Sequence, residues 1–175
     1  MRERYVVDTN VLIAASTADP VDPKDIDATP VDPGLRLEIW QWLSDFQNSD
    51  SRMILDSKNG IYDEYTHKLG YNDFGIQVVM HKWSTAAVDN VYVEYDENGH
   101  GVLAPPLLDI IHDDADKKMV AAALESHKQY GEGYVAFAGD TDWHDWEAAL
   151  LDNNVMLEPI IEQWSRQKHA EKKKR

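Results

Sequence analysis

The sequence predicts an α/β domain with a mostly parallel central sheet of about four to five strands flanked by helices. Three observations predict it. Short unbroken apolar runs, Tyr5-Val6-Val7, Met53-Ile54-Leu55 and Tyr134 to Ala138, suit strands covered on both faces. Longer segments with apolar residues at helical spacing separate them, and that alternation marks crossover units on a parallel sheet. The chain has 175 residues, enough for one such domain with a full core and not for two.

The first run ends in Asp8. Thr9 or Asn10 can cap a helix over Val11 to Ala15. Asp8 then stands at the carboxyl end of a central strand, where open α/β sheets hold their ligands. Ser16 to Pro33 carries Asp-Pro at 19-20, 22-23 and 32-33 and reads as an exposed loop. Asp32 caps the next helix with Pro33 in its first turn. Leu35, Ile39, Trp42, Leu43 and Phe46 make that helix's core face, and Trp40 and Trp42 read as structural aromatics.

After Met53 to Leu55, a helix carries Ile61, Tyr65 and Leu69 as one apolar seam, with Glu64 beside it. Phe74 to Trp83 forms another helix. Val91, Val93 and Tyr95 alternate, and Asp96 to Gly101 is a turn, so with Val102 and Leu103 a hairpin is predicted. Asp113-Asp114-Ala115-Asp116 leads into an alanine-rich helix over Lys117 to Ser126, with Asp116 in its first turn on the packed side. Tyr134 to Ala138 ends in Gly139-Asp140-Thr141-Asp142-Trp143, and Trp143 to Leu151 is helical. Val155 to Leu157 suits a last strand and Ile160 to Arg166 a last helix. The domain so drawn spans 1–166; residues 167–175 are a basic tail too polar to pack, predicted to be disordered.

Net charge is −15, and its distribution is uneven. From Glu162 onward six basic residues face two acidic ones, leaving 11 basic and 30 acidic residues before them. So acidic a body argues against broad, nonspecific nucleic-acid binding through Lys and Arg. It leaves room for contact through bound metal ions and a small basic patch. With no cysteine, a metal must be held by oxygen or by one of seven histidines. The histidines show no ligand spacing; His112 and His144 lie nearest the acidic segments. No run reaches the ~20 apolar residues of a membrane span, and the charged N-terminus has no signal-peptide core. A cytoplasmic protein without membrane attachment is expected.

Acidic groups recur at strand ends, at Asp8, near Asp56 and at Asp140, with Glu64 and Asp116 arriving from helices. Each has an ordinary explanation alone, since an acid in a first helical turn complements the dipole. Together they would repel and raise one another's pKa, a state that a hard divalent cation with oxygen ligands offsets. Two such ions about 3.5–4 Å apart can activate water and stabilise an in-line phosphoryl displacement. Trp143 and Trp146 could stack a base, but core packing of their helix is the stronger reading.

Tyr-Val-Val-Asp-Thr-Asn-Val-Leu-Ile at 5-13 resembles the opening motif of PIN-domain nucleases. Tyr62-Asp63-Glu64-Tyr65, then Asp116 with Met119 to Leu124, then Phe137 to Trp143 resemble the second, third and fourth acidic blocks in order. The resemblance implies a three-layer PIN-like fold and a metal-dependent endoribonuclease, in a family that includes VapC-type toxins. It implies that Asp8, Glu64, Asp116 and Asp140 form a quartet binding Mg²⁺ or Mn²⁺, with Asp142 as an auxiliary acid and Asn10 orienting Asp8. RNA as substrate, a protein inhibitor or antitoxin as partner, and a homodimer follow from it as expectations. Many members carry Thr or Ser two residues before the fourth acid, where this chain has Ala138; Thr141 or Thr9 could supply that hydroxyl. Asp113 and Asp114 rival Asp116 for the third position, and helix spacing favours Asp116. The alternatives are a structure-specific DNA nuclease and a PIN-fold binding or scaffold module.

Overall fold

The computed structural model describes residues 1–174; Arg175, at the end of the basic tail, lies outside the described residues. Five strands, β1 (Arg4–Val7), β2 (Arg52–Asp56), β3 (Val88–Val91), β4 (Tyr134–Phe137) and β5 (Met156–Pro159), form one parallel sheet in the order β3-β2-β1-β4-β5. Tyr5 pairs with Met53 on one side of β1, and Val6 pairs with Val135 on the other. The three apolar runs therefore occupy the middle of the sheet. Tyr5, Val6, Val7, Met53, Ile54, Leu55, Val135, Ala136 and Phe137 are all buried, as unbroken apolar runs require.

The helices are α1 (Thr9–Thr17), α2 (Pro33–Asn48), α3 (Gly60–Lys68), α4 (Phe74–Ser84), α5 (Leu107–Ile110), α6 (Lys117–Tyr130), α7 (Trp143–Asp152) and α8 (Glu162–Lys173). Helices α1, α2 and α4 pack on one another, while α6 lies against β1, β2, β3 and β4. The chain first runs outward through β2 and β3, then returns across the sheet to β4 and β5. The order thus reverses between β1 and β4, and their carboxyl ends border the crevice where such sheets bind ligands. Among the described residues, no helix is long and apolar enough to cross a membrane.

Most predicted elements are present, including the Asp32 cap, whose Oδ1 accepts from the Leu35 N–H at 3.0 Å. Trp42 stacks on Phe46 with ring centroids 5.6 Å apart, and Trp143 meets Trp146 edge-on at 5.5 Å, so these aromatics are core. Four features differ. Asp8 itself, not Thr9 or Asn10, takes the N-cap position of α1, and its side chain makes no capping bond. Val91 belongs to β3, a fifth parallel strand, and only Tyr95 and Gly101 form an antiparallel bridge where a hairpin is predicted. The short α5 has no counterpart in the periodicity, because four residues are too few to show any.

The fourth difference is the C-terminus, where α8 continues to Lys173 instead of dissolving at Gln167. Hydrophobicity does not hold it there. Lys168 pairs with Glu171 along the helix, His169 and Lys173 with Asp145, and Lys172 with Asp142 on α7's amino end. Composition counts apolar residues and so misses a segment held by complementary charge.

Candidate metal centre

Asp8 follows β1 directly, and the ladder continues through it: its N–H donates to the Ala136 carbonyl at 2.9 Å. That bond ties Asp8 to the end of β4, and hence to Asp140 beyond it. Asn10 Oδ1 accepts from the Gly139 N–H at 2.9 Å, drawing the turn after β4 onto α1. Only glycine fits there, since a Cβ would lie 2.1 Å from the Thr29 carbonyl oxygen. The Asn10 side chain therefore fixes Asp140's turn, while its backbone N–H acts on the Asp8 carboxylate. Asp140 Oδ1 accepts from the Asp142 N–H at 2.9 Å, which sets the direction of the carboxylate.

Glu64 is delivered by α3. The buried Tyr65 donates its hydroxyl to the carbonyl of Val7, the last residue of β1, and so pins α3 over that strand end. Asp56, at the end of β2, is not part of the site. Its two oxygens accept from the N–H groups of Lys58, Gly60 and Ile61 at 3.1, 3.0 and 2.8 Å, starting α3. Asp116 stands at the N-cap of α6 and is buried, whereas Asp113 and Asp114 are exposed and bonded to Ala115 N–H and Lys117. Of the three rivals, only Asp116 reaches the interior.

Asp8, Glu64, Asp116 and Asp140 lie close enough for their charges to act on one another. Burial raises the pKa of Asp8, and Asp140 and Glu64 raise it further, against the nearby N–H groups of Asn10 and Thr9. Burial does the same at Asp116, with Asp8, Asp140, Asp113 and Glu64 adding to it. Asp140 is raised too, by burial first. Asp8 Oδ2 and Asp116 Oδ2 are buried with no hydrogen-bond partner. A buried carboxylate oxygen without a partner is costly, and two beside one another are more so.

Not every predicted ligand is free. Glu64 Oε1 accepts from the Thr9 hydroxyl, and Oε2 is ion-paired with Lys118, itself buried. Thr9 thus supplies a hydroxyl within the site where Ala138, fully buried, cannot. Asp142 points outward to Lys172. Among the described residues, no three acidic or histidine side chains are arranged to close on one ion. His144 bonds Ser165 Oγ at 2.9 Å and packs on Phe137, away from this chemistry.

Lys118 is the residue that sequence reasoning missed. The signal was available: a cation in a helix's first turn opposes the dipole and calls for a nearby anion. All donors in the site are oxygens, and two are buried and unpartnered, a set that fits Mg²⁺ or Mn²⁺ better than a softer metal. No protein-family model, no curated protein and no solved structure matches this chain.

Proposed function

We propose that the chain is a divalent-metal-dependent nuclease of the PIN-domain type that hydrolyses RNA phosphodiesters at this acidic site. The observation that carries the reading is the pair of buried, unpartnered oxygens on Asp8 and Asp116 at the sheet's switch point. Asp8, Asp116 and Asp140 would hold Mg²⁺ or Mn²⁺, with Glu64 at the edge of the set. The bound ion would supply Lewis acidity at the phosphate and make water more acidic. The protein's own part is positional. The Asp8 ladder bond and the Asn10–Gly139 clamp hold two carboxylates rigidly, and Thr9 and Lys118 hold Glu64. Lys168 and Lys172, paired with Glu171 and Asp142, line a hollow with Thr29, Gly139, Thr141 and Glu171 next to the turn that carries Asp140. Exchange of those pairs for a phosphate would bring the RNA backbone there.

The test is cleavage of single-stranded RNA with Mn²⁺, alongside single-stranded and flap DNA. Wild-type protein cuts RNA, EDTA abolishes cutting, and Asp8→Asn and Asp116→Asn each lower the rate at least ~100-fold, by analogy with losing an electrostatic catalytic group. Circular dichroism shows both variants folded. Cutting that survives both substitutions would refute the assignment, and preference for flap DNA would move the substrate class. One observation favours a second reading, a binding module without activity: the Lys118 ammonium already neutralises one of the four acids. Calorimetric titration with Mn²⁺ separates the two, because a metal-free module takes up no ion.

A further inference from the structure

Lys118 is a buried cation inside a cluster of acids, and the fold holds it there from three sides. Its ammonium is ion-paired with Glu64 Oε2 and donates to the Ala115 carbonyl at 3.0 Å. Behind it the backbone of Gly101 lies against Lys118, so close that a Cβ on Gly101 would meet the Lys118 N and Cα at 2.6 Å. With Thr9 on its other oxygen, Glu64 has both carboxylate oxygens engaged by resident donors. Asp8 and Asp116 are the opposite case, each with a buried oxygen that meets no donor. The acids therefore divide into one already neutralised by a lysine and a group still lacking a cation.

We propose that the Lys118 ammonium holds the place on Glu64 that a second divalent ion would otherwise take, so that the site binds one ion, at Asp8, Asp116 and Asp140. A divalent ion on Glu64 would have to displace the ammonium or lie against it, and like charges in contact in a buried site repel strongly. Glu64 is then a positioning residue for Lys118. Lys118 lines the groove between α3 and the Tyr95–Gly101 turn together with Lys58, Asp63, Glu64, His67 and Lys68.

The inference rests on the metal-dependent reading of the site, and its test separates the two. Mn²⁺ binding stoichiometry is measured by electron paramagnetic resonance of the free ion and by calorimetry on the whole chain. The variants are Lys118→Met, the double variant Lys118→Met/Glu64→Gln, and Asp8→Asn. Wild type binds one Mn²⁺; Lys118→Met binds two, because Glu64 is released. The double variant, which removes the pair without changing net charge, returns to one ion with affinity within about tenfold of wild type. Asp8→Asn loses at least about 100-fold in affinity, as expected for a ligand to the retained ion. Two ions in wild type, or still one in a folded Lys118→Met, overturn the proposal while leaving the metal site standing. If Lys118→Met does not fold, a double variant with affinity reduced by more than about tenfold overturns it. No binding in any form overturns both.

Discussion

At the scale of single residues, the acid cluster is destabilising by itself, and this has measurable consequences. Asp8 and Asp116 are pushed up to about 8 and about 9, first by burial and then by neighbouring carboxylates, chiefly Asp140 for Asp8 and Asp8 for Asp116. Their folded-state pKa values lie above those of the unfolded chain, so the folded protein retains protons that the unfolded chain has released. Stability is then full below about pH 4 as far as these groups are concerned, and falls as pH rises towards 8 to 9. In EDTA, the melting temperature should drop between pH 5 and pH 9, and Asp8→Asn should flatten that drop. At pH 8 without metal, Asp8→Asn should melt higher than wild type by about 5–10 °C, taking 2–3 kcal/mol of relieved repulsion and desolvation. Thermal melts across pH check the sign. A variant that melts lower than wild type at pH 8 would show that the carboxylate is not under strain.

Among the elements, α4 and α8 make contrasting cases. Lys82 on α4 is buried, its ammonium donating to the Ser49 and Ser51 carbonyls at 2.9 and 2.7 Å and lying 4.4 Å from the Phe46 ring centre. It ties α4 to the turn between α2 and β2. Lys82→Met leaves two carbonyls short of a donor and should cost about 2–3 kcal/mol, or 4–12 °C of melting temperature. By comparison, α8 is held to α7 by exposed ion pairs, each worth at most about 1 kcal/mol. Deleting residues 167–175 should therefore cost only a few degrees. It should weaken RNA binding, because Lys168 and Lys172 line the hollow beside Asp140, and lower the slope of log affinity against log salt by about 1 to 2. Filter binding at several salt concentrations measures this. An unchanged slope would mean that these lysines serve only α7.

At the scale of the whole molecule, the sheet order would couple the proposed metal binding to global stability. Asp8 follows β1, the central strand, Asp140 follows β4, and Glu64 on α3 and Asp116 at the start of α6 belong to two helices that pack on one another. An ion that binds only when all of these are assembled stabilises the folded state by mass action. At 100 times the dissociation constant the gain is about 2.7 kcal/mol, or roughly 5–11 °C. Mn²⁺ should produce such a shift in wild type and none in Asp8→Asn. Equal shifts in both would place the ion elsewhere.

What the sequence determined by itself was the α/β class, the three central strands and their flanking helices, because unbroken apolar runs and helical spacing are local properties. Asp8, Asp116 and Asp140 could be placed at a strand end or helix start from their neighbours, whereas Glu64, inside α3, was singled out by the resemblance. Helix spacing favoured Asp116 over Asp113 and Asp114, and of the three it is the buried one. Pairings between distant segments were decided by tertiary structure alone. Asn10 clamps Gly139, 129 residues away, and Lys118 takes Glu64 from a separate helix. The extension of α8 along α7 depends likewise on charges that face one another only after folding. Such contacts carry no periodicity, since they join side chains whose proximity the sheet order creates, and that is why the cation already resident among the acids appears only in the folded chain.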